Sequence, residues 1–438
     1  MNFSLFVAVI AAFGGLLFGY NTSVISGVLL FISNDFQLTT FQQELIVSTI
    51  LVGAVIGAFA GGFLADAFGR KKSMFFSLAL FLVGTFTLGD AVGFDTLLAG
   101  RFITGLAIGI VSVAAPLYIA EMSPHKKRGA LVSLYQLAIT IGILIAYIVS
   151  YAYSESAEWR EMFFFGLIPL GIQCIGLFFI PETPSWLLSR NRKAEADIVL
   201  HKMHRGSPHQ SLTSESQKED VPTKKGWKEL FSPSVRMAFL IGIGMSVIQQ
   251  ITGINTVIYY APRIFQLAGY QSAQTAIFAT LLVGIVNVAI TVGALWLIDR
   301  LGRRPLLIGG LIGMAASLLL LGFSFFSSSE HRGLMAVIAL MFYVSFFAVS
   351  LGPVTWLIIS EVFPLGIRGR AIGVAVFANW VCNYIVSLTF LSLLETFGPA
   401  ETFWLYGAIC LFGLWFVIAR VPETKGKTFE QIQNFWKK

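Results

Sequence analysis

The chain has 438 residues, of which 56% are apolar and only 12% charged, with 40 Phe and a formal net charge of +7. A soluble chain of this length carries about twice that charged fraction, so a water-soluble globular protein is excluded. Apolar runs of about 20 residues fit a hydrocarbon core about 30 Å thick when helical, and the short alternating strands of a membrane barrel do not occur.

The apolar runs predict spans over 4–32, 44–66, 73–93, 98–121, 129–153 and 161–181, then over 235–267, 273–298, 305–327, 334–361, 370–394 and 401–421. The expected fold is all-α and integral to the membrane, with twelve transmembrane helices in two six-helix bundles. Residues 1–181 form the first bundle, 182–234 a linker, 235–421 the second bundle and 422–438 a short tail. The linker is polar throughout. Its 186–205 stretch reads as amphipathic helix and 206–225 as flexible chain.

Basic residues follow alternate spans: Arg70, Lys71 and Lys72 after the second, Lys126, Lys127 and Arg128 after the fourth. Arg300, Arg303 and Arg304 follow the eighth, Arg368 and Arg370 the tenth, and Lys425, Lys427, Lys437 and Lys438 the last. The positive-inside rule then predicts cytoplasmic termini in an inner or plasma membrane. It also accounts for the net charge without nucleic acid as a partner. The first residues lack the charged start of a cleaved signal peptide. Cys174, Cys382 and Cys410 all lie in apolar runs and read as packing residues, and no metal-ligand spacing or cofactor motif is present.

The two halves repeat. Asp66-Ala-Phe-Gly69-Arg70 returns as Asp299-Arg-Leu-Gly302-Arg303, Glu121 with Pro124 and Arg128 returns as Glu361 with Pro364 and Arg368, and Pro181-Glu182-Thr183 returns as Pro422-Glu423-Thr424. Three echoes in one order at nearly one spacing mean duplication, a transporter architecture with its site near the midplane. The charged echoes predict a gating network of Asp66, Arg70, Glu121, Arg128, Asp299, Arg303, Glu361 and Arg368. Single surface pairs contribute about 0–1 kcal/mol, but several together bias an equilibrium between two states.

Together the motifs resemble the sugar porter family of the major facilitator superfamily, from Gly14 to the C-terminus. The segments that carry the likeness are GGLLFGYNTSVISG (14–27), GRFITG (100–105), PLYIAEMSPHKKRG (116–129) and PETPSWL (181–187) in the first half. In the second they are QQITGINTVIYY (249–260), DRLGRR (299–304), GPVTWLIISEVFP (352–364) and PETKGKTFEQI (422–432).

Amides at membrane depth face the protein interior, because lipid offers them no partner. Gln250 with Asn255, and Asn379 with Asn383, are near neighbours at helical period. Amides donate and accept at once, which suits a ring of hydroxyls, and Trp356 and Trp380 offer faces for a pyranose. The resemblance implies that Gln136, Gln249, Gln250, Asn255, Asn287, Trp356, Asn379 and Trp380 contact sugar, with Tyr259 and Asn383 as further candidates. Two departures keep xylose and galactose open beside glucose. Some glucose-preferring relatives carry Gln-Leu-Ser before the Gln pair, where this chain has Ser246-Val247-Ile248, and a position often acidic in animal glucose carriers is Ala348.

Proton-coupled members of the family usually place an Asp in the first span opposite an Arg in the fourth. The Arg is present as Arg101, but the acid is replaced by Asn21, which cannot titrate. Asp90, Asp95, Glu155, Glu158, Glu161, Glu395 and Glu401 fall at the external ends of spans. The coupling position therefore predicts facilitated diffusion of a monosaccharide by a non-enzymatic carrier. The alternatives are proton symport through another acid and, remotely, a sugar sensor, which tends to carry a longer tail. The expected partners are the monosaccharide and the lipid bilayer, with a monomer as the working unit.

Overall fold

A computed structural model of the chain describes residues 3–124, 128–203, 233–327, 329–363, 368–427 and 431. Lys126, Lys127, Lys437, Lys438 and the 206–225 stretch lie outside the described residues. Twelve helical stretches are long and apolar enough to cross a membrane, from Phe3–Asp35 to Pro399–Arg420. The chain is a multi-pass membrane protein. It divides into two compact units, Met1–Asp220 and Val221–Lys438.

In the first unit, α1 (Phe3–Ser23) and α2 (Ile25–Asp35) make one span that pauses at Val24. Next come α3 (Thr40–Phe68), α4 (Arg70–Gly89), α5 (Phe94–Glu121) and α6 (Arg128–Ala152), and a sixth span divided into α7 (Trp159–Phe164) and α8 (Leu167–Phe179). Two short helices follow, α9 (Pro184–Ser189) and α10 (Lys193–Met203). Thr39 and Gln42 start α3 with a reciprocal capping box, which satisfies two orphan N–H groups where the helix begins. Glycines let backbones touch where lipid gives helices no hydrophobic reason to associate. A Cβ on Gly105 of α5 would fall inside 3 Å of the Ile50 carbonyl of α3, and one on Gly142 of α6 inside 3 Å of the Leu16 carbonyl of α1.

The second unit holds α11 (Pro233–Ile251), α12 (Ile254–Leu267), α13 (Ala273–Leu301) and α14 (Arg303–Ser324). It continues with α15 (Ser329–Val349), α16 (Leu351–Val362), α17 (Arg368–Phe397) and α18 (Pro399–Arg420). One span joins α11 and α12 through Thr252 and Gly253, whose φ of 90° is left-handed and favours glycine. Another joins α15 and α16 through Ser350. Outward positions such as Phe59, Phe63, Phe178, Phe323 and Trp415 are exposed apolar side chains, as a lipid-facing surface requires.

The charged echoes become helix-end clusters, one in each unit. Arg70 Nη2 lies 3.0 Å from Glu121 and 3.4 Å from Asp66, and Arg303 Nη2 lies 3.0 Å from Glu361. Arg128 is exposed at the start of α6, and the side chains of Asp299 and Arg368 lie outside the described residues. The third echo supplies caps. Glu182 accepts the backbone N–H groups of Arg70 and Lys71, each at 3.1 Å, at the first turn of α4. Glu423 accepts those of Arg303 at 3.1 Å and Arg304 at 3.0 Å at the first turn of α14. A carboxylate there meets both the orphan donors and the positive end of the helix dipole.

The two caps differ electrostatically. Burial dominates at Glu182 and raises its carboxyl above the ordinary value, against the N–H groups of Thr183, Lys71 and Arg70. Burial also pushes Glu423 up, but the N–H groups of Lys425, Arg303, Arg304 and Thr424 outweigh it and hold that carboxyl low. A lowered carboxyl stabilises the fold above its unfolded pKa, and that contribution is lost as pH falls through the folded pKa. A raised one works in the opposite sense, so ionised Glu182 weakens the fold at neutral pH relative to its protonated form. Glu423→Gln should therefore lower the thermal unfolding midpoint at pH 7 more than Glu182→Gln does. The difference should close toward pH 4, which melting curves across pH in detergent will check.

Candidate functional site

The amides of the second unit form one connected network. Gln250 Nε2 donates to Asn379 Oδ1 at 3.0 Å, and Asn379 Nδ2 donates to Gln249 Oε1 at 2.8 Å and to the Ser246 carbonyl at 3.0 Å. Gln249 Nε2 donates to the carbonyls of Leu351 at 2.8 Å and Gly352 at 3.2 Å, and Asn255 Nδ2 donates to Gln250 Oε1 at 2.6 Å. Helices α11, α12, α16 and α17 are thereby tied by side-chain amides. Gln249, Gln250 and Asn379 are buried, while Asn255 is only partly so. Asn255 keeps its oxygen and one N–H, and Gln250 one N–H, outside the bonds given above, so an acceptor and donors both remain.

The other candidates in this unit lie around the network to different degrees. Trp380 follows the hub residue on α17 and is 9% exposed, whereas Trp356 on α16 is 37% exposed. Asn383 is turned into its own helix, accepting from Ser387 Oγ at 3.2 Å, and the Ser387 carbonyl accepts from Tyr260 Oη at 2.8 Å. Tyr259 is buried on α12. Asn287 is half-buried on α13, where Thr291 Oγ1 lies 3.5 Å from its oxygen. The structure thus joins Gln249, Gln250, Asn255 and Asn379, and leaves Asn287 outside that network. Gln136 belongs to the first unit, half-buried on α6.

In the first unit the coupling position is a backbone clamp. Arg101 is 1% exposed. Its Nη1 donates to the Asn21 carbonyl at 2.8 Å, its Nε to the Ile46 carbonyl at 3.1 Å and its Nη2 to the Val47 carbonyl at 3.4 Å. The Asn21 side chain turns the other way, donating to the Leu17 carbonyl of its own helix at 2.9 Å. Sequence reasoning missed one residue here. Glu44 opens the second predicted span and reads as an end residue, yet it is 0% exposed and lies one turn before Val47 on α3. Among the described residues, no group of three His, Cys, Asp or Glu side chains is placed to hold a metal ion.

The network makes Asn379 its hub. Asn379→Ala leaves Gln250 Nε2, Gln249 Oε1 and the Ser246 carbonyl each short of a partner, at a cost of about 1–3 kcal/mol apiece where no water replaces it. Asn255→Ala removes a single bond to Gln250. Thermal unfolding of the purified chain should show the larger fall for Asn379→Ala.

Comparison with known proteins agrees with this architecture over its full length. The model of the family described as "Sugar (and other) transporter" matches residues 7–436. The chain is 40% identical to the D-xylose transporter of Levilactobacillus brevis, covering 98% of this chain and 94% of that one. It is 38% identical to the galactose-proton symporter of Escherichia coli strain K12, covering 98% and 93%. Among solved structures, the inward open conformation of the E. coli xylose transporter XylE superposes with a TM-score of 0.83 at 32% identity, covering 98% of this chain and 99% of that one. Twelve spans, a duplicated set of charged helix ends and this likeness lead to one assignment: the chain belongs to the sugar (and other) transporter family, among the sugar porters of the major facilitator superfamily.

Proposed function

We propose that the chain carries a monosaccharide across the cell membrane by alternating access, moving it down its own gradient. The observation that carries the uniport reading is Asn21. Its side chain is a neutral amide bonded to Leu17, and Arg101 meets the Asn21 backbone instead of a carboxylate at that position. A hexose such as glucose is the leading substrate. Xylose and galactose follow, in keeping with what the relatives' names say of those proteins. Gln136, Gln249, Gln250, Asn255, Asn287, Trp356, Asn379 and Trp380 are assigned to the sugar, with Tyr259 and Asn383 beside them. Hydrogen bonds to a sugar replace bonds to water and net only about 0.5–1.5 kcal/mol each. Micromolar-to-millimolar affinity follows, which suits a carrier that must release its cargo.

Further parts of the reading concern organisation. Both termini face the cytoplasm by the charge of the loops. Residues 1–181 and 235–421 act as the two moving bundles, with 182–234 as the linker and 422–438 as the tail. The charged clusters around Arg70 and Arg303 act as gates at the cytoplasmic helix ends of their own bundles, by the same loop-charge argument.

One observation favours a second reading. Glu44 is a fully buried carboxylate on the helix whose Ile46 and Val47 carbonyls hold Arg101, and proton symport through Glu44 would place this chain with its symporter relatives. Proteoliposomes decide between the two. A uniporter equilibrates labelled glucose and does not accumulate it when an inward proton gradient is imposed. Accumulation that a protonophore abolishes and Glu44→Gln removes would establish symport. Under the uniport reading, Asn21→Asp should introduce pH-dependent uptake between pH 5 and pH 8, and a flat profile would remove position 21 from the coupling argument.

A further inference from the structure

The span that joins α11 to α12 bends at Thr252 and Gly253, and the bend makes a contact that a straight helix could not. Residues five apart in a continuous helix point about 140° away from each other. Yet Asn255 Nδ2 donates to Gln250 Oε1 at 2.6 Å across the break. The bend, not the helical repeat, brings the two amides together. Gln250 lies on the last turn of α11 and Asn255 on the first turn of α12, so the angle between these half-helices sets how one amide meets the other.

Some carbonyls at the bend are met from within the same span. That of Gln249 accepts from Thr252 Oγ1 at 3.1 Å, and that of Gly253 from Thr256 Oγ1 at 2.7 Å. Such bonds travel with the segment and leave its angle open. The Thr252 carbonyl is met from another helix: Tyr343 Oη, on α15, donates to it at 2.7 Å. No backbone N–H among the described residues bonds that carbonyl, and Tyr343 is 0% exposed. Packing adds to the bond, because a Cβ on Gly253 would fall 2.9 Å from the Tyr406 ring of α18. A hydroxyl from one helix thus pins the bend, and a ring from another packs against it.

We propose that Tyr343 is a positioning residue for substrate recognition: its hydroxyl, fixed on the Thr252 carbonyl, sets the bend that aligns Asn255 with Gln250. This role rests on the assignment of that amide pair to a sugar. Tyr343 acts through the backbone and through the pair, with no contact of its own to the cargo. Without the hydroxyl, a buried carbonyl at a bend lacks its partner, an unfavourable state that the segment relieves by turning the carbonyl toward another donor. That turn carries Asn255 out of line with Gln250. The Asn255 oxygen and the remaining N–H groups then meet sugar hydroxyls at poorer distances and angles. Binding weakens, while the maximal rate of the carrier changes little.

Uptake kinetics of the full-length protein in proteoliposomes test this role, with whichever of glucose, xylose and galactose the unaltered chain carries best. Tyr343→Phe, which removes only the oxygen, should raise KM about three- to tenfold and keep the maximal rate within about twofold. KM does not depend on how much of the protein is folded, so a less stable variant still reports it. Asn255→Ala should raise KM by itself, and adding Tyr343→Phe should raise it no further, since no pair is left to align. As a control, Tyr118→Phe removes a similar bond, 2.7 Å to the Pro181 carbonyl, and should leave KM unchanged. An unchanged KM in Tyr343→Phe overturns the role, as do effects that add to those of Asn255→Ala. An equal rise in Tyr118→Phe also overturns it, because general loosening would then explain the shift. If the unaltered chain carries none of the three sugars, the monosaccharide reading falls and takes this role with it. Uptake by the unaltered chain with KM unmoved in Tyr343→Phe sinks the Tyr343 role alone.

Discussion

Hydrocarbon offers a polar group nothing to bond, and nearly every polar feature of this chain follows from that constraint. Arg101 is its extreme case, an ever-ionised guanidinium with 1% exposure inside a bundle. Three backbone carbonyls on two neighbouring helices receive its N–H groups. A buried cation also needs opposite charge nearby to offset its desolvation, and the fully buried Glu44 sits on the helix that gives two of those carbonyls. Gln249, Gln250 and Asn379 of the second unit obey the same rule with neutral groups, each bonded to another helix.

The constraint also explains where the span helices break. A break in a membrane helix frees carbonyls that must be collected by side chains. The carbonyl of Asn21, one turn before the pause at Val24, goes to Arg101. That of Thr252, at the left-handed Gly253, goes to the hydroxyl of Tyr343 at 2.7 Å. Those of Leu351 and Gly352, just past Ser350, go to Gln249. Each collector lies on a different helix from the break it serves. The irregular backbone is thus held by residues far away in sequence, two of them at positions the sequence marks as functional. Gln249 is both a substrate candidate and a donor to the first-turn carbonyls of α16, so its orientation is set by that helix.

Much of this was legible beforehand, because hydropathy and charge are local. The twelve spans, the two-fold repeat and the charged residues of its echoes can be read in a line, but not that Arg70 meets Glu121 and Arg303 meets Glu361 across 51 and 58 residues. What escaped depends on contacts over long separations. Glu182 and Glu423 read as markers of duplication, but their part as caps of α4 and α14 rests on bonds 111 to 120 residues apart in sequence. Asn379 and Asn383 share a helical face by spacing, yet one reaches α11 and the other stays within α17. Glu44 looks like a residue at the mouth of a span because burial is decided by neighbours the sequence does not name.

The geometry at position 21 gives Arg101 a task that needs no acid there. Were Arg101 only half of a proton switch, loss of the acid would leave a buried charge with nothing to bond. Here the Asn21 backbone, not its side chain, meets the guanidinium, and the Ile46 and Val47 carbonyls also receive it. The Arg therefore keeps a structural task, binding α5 to α1 and α3, whatever side chain stands at 21. An amide there satisfies itself on Leu17, an arrangement a carboxylate cannot copy, because an ionised acid has no proton to donate. Restoring the acid would push that side chain away from the Leu17 carbonyl and toward the guanidinium. A titrating pair would then be laid over an existing clamp, so proton coupling at this position is an addition to the fold and not a requirement of it.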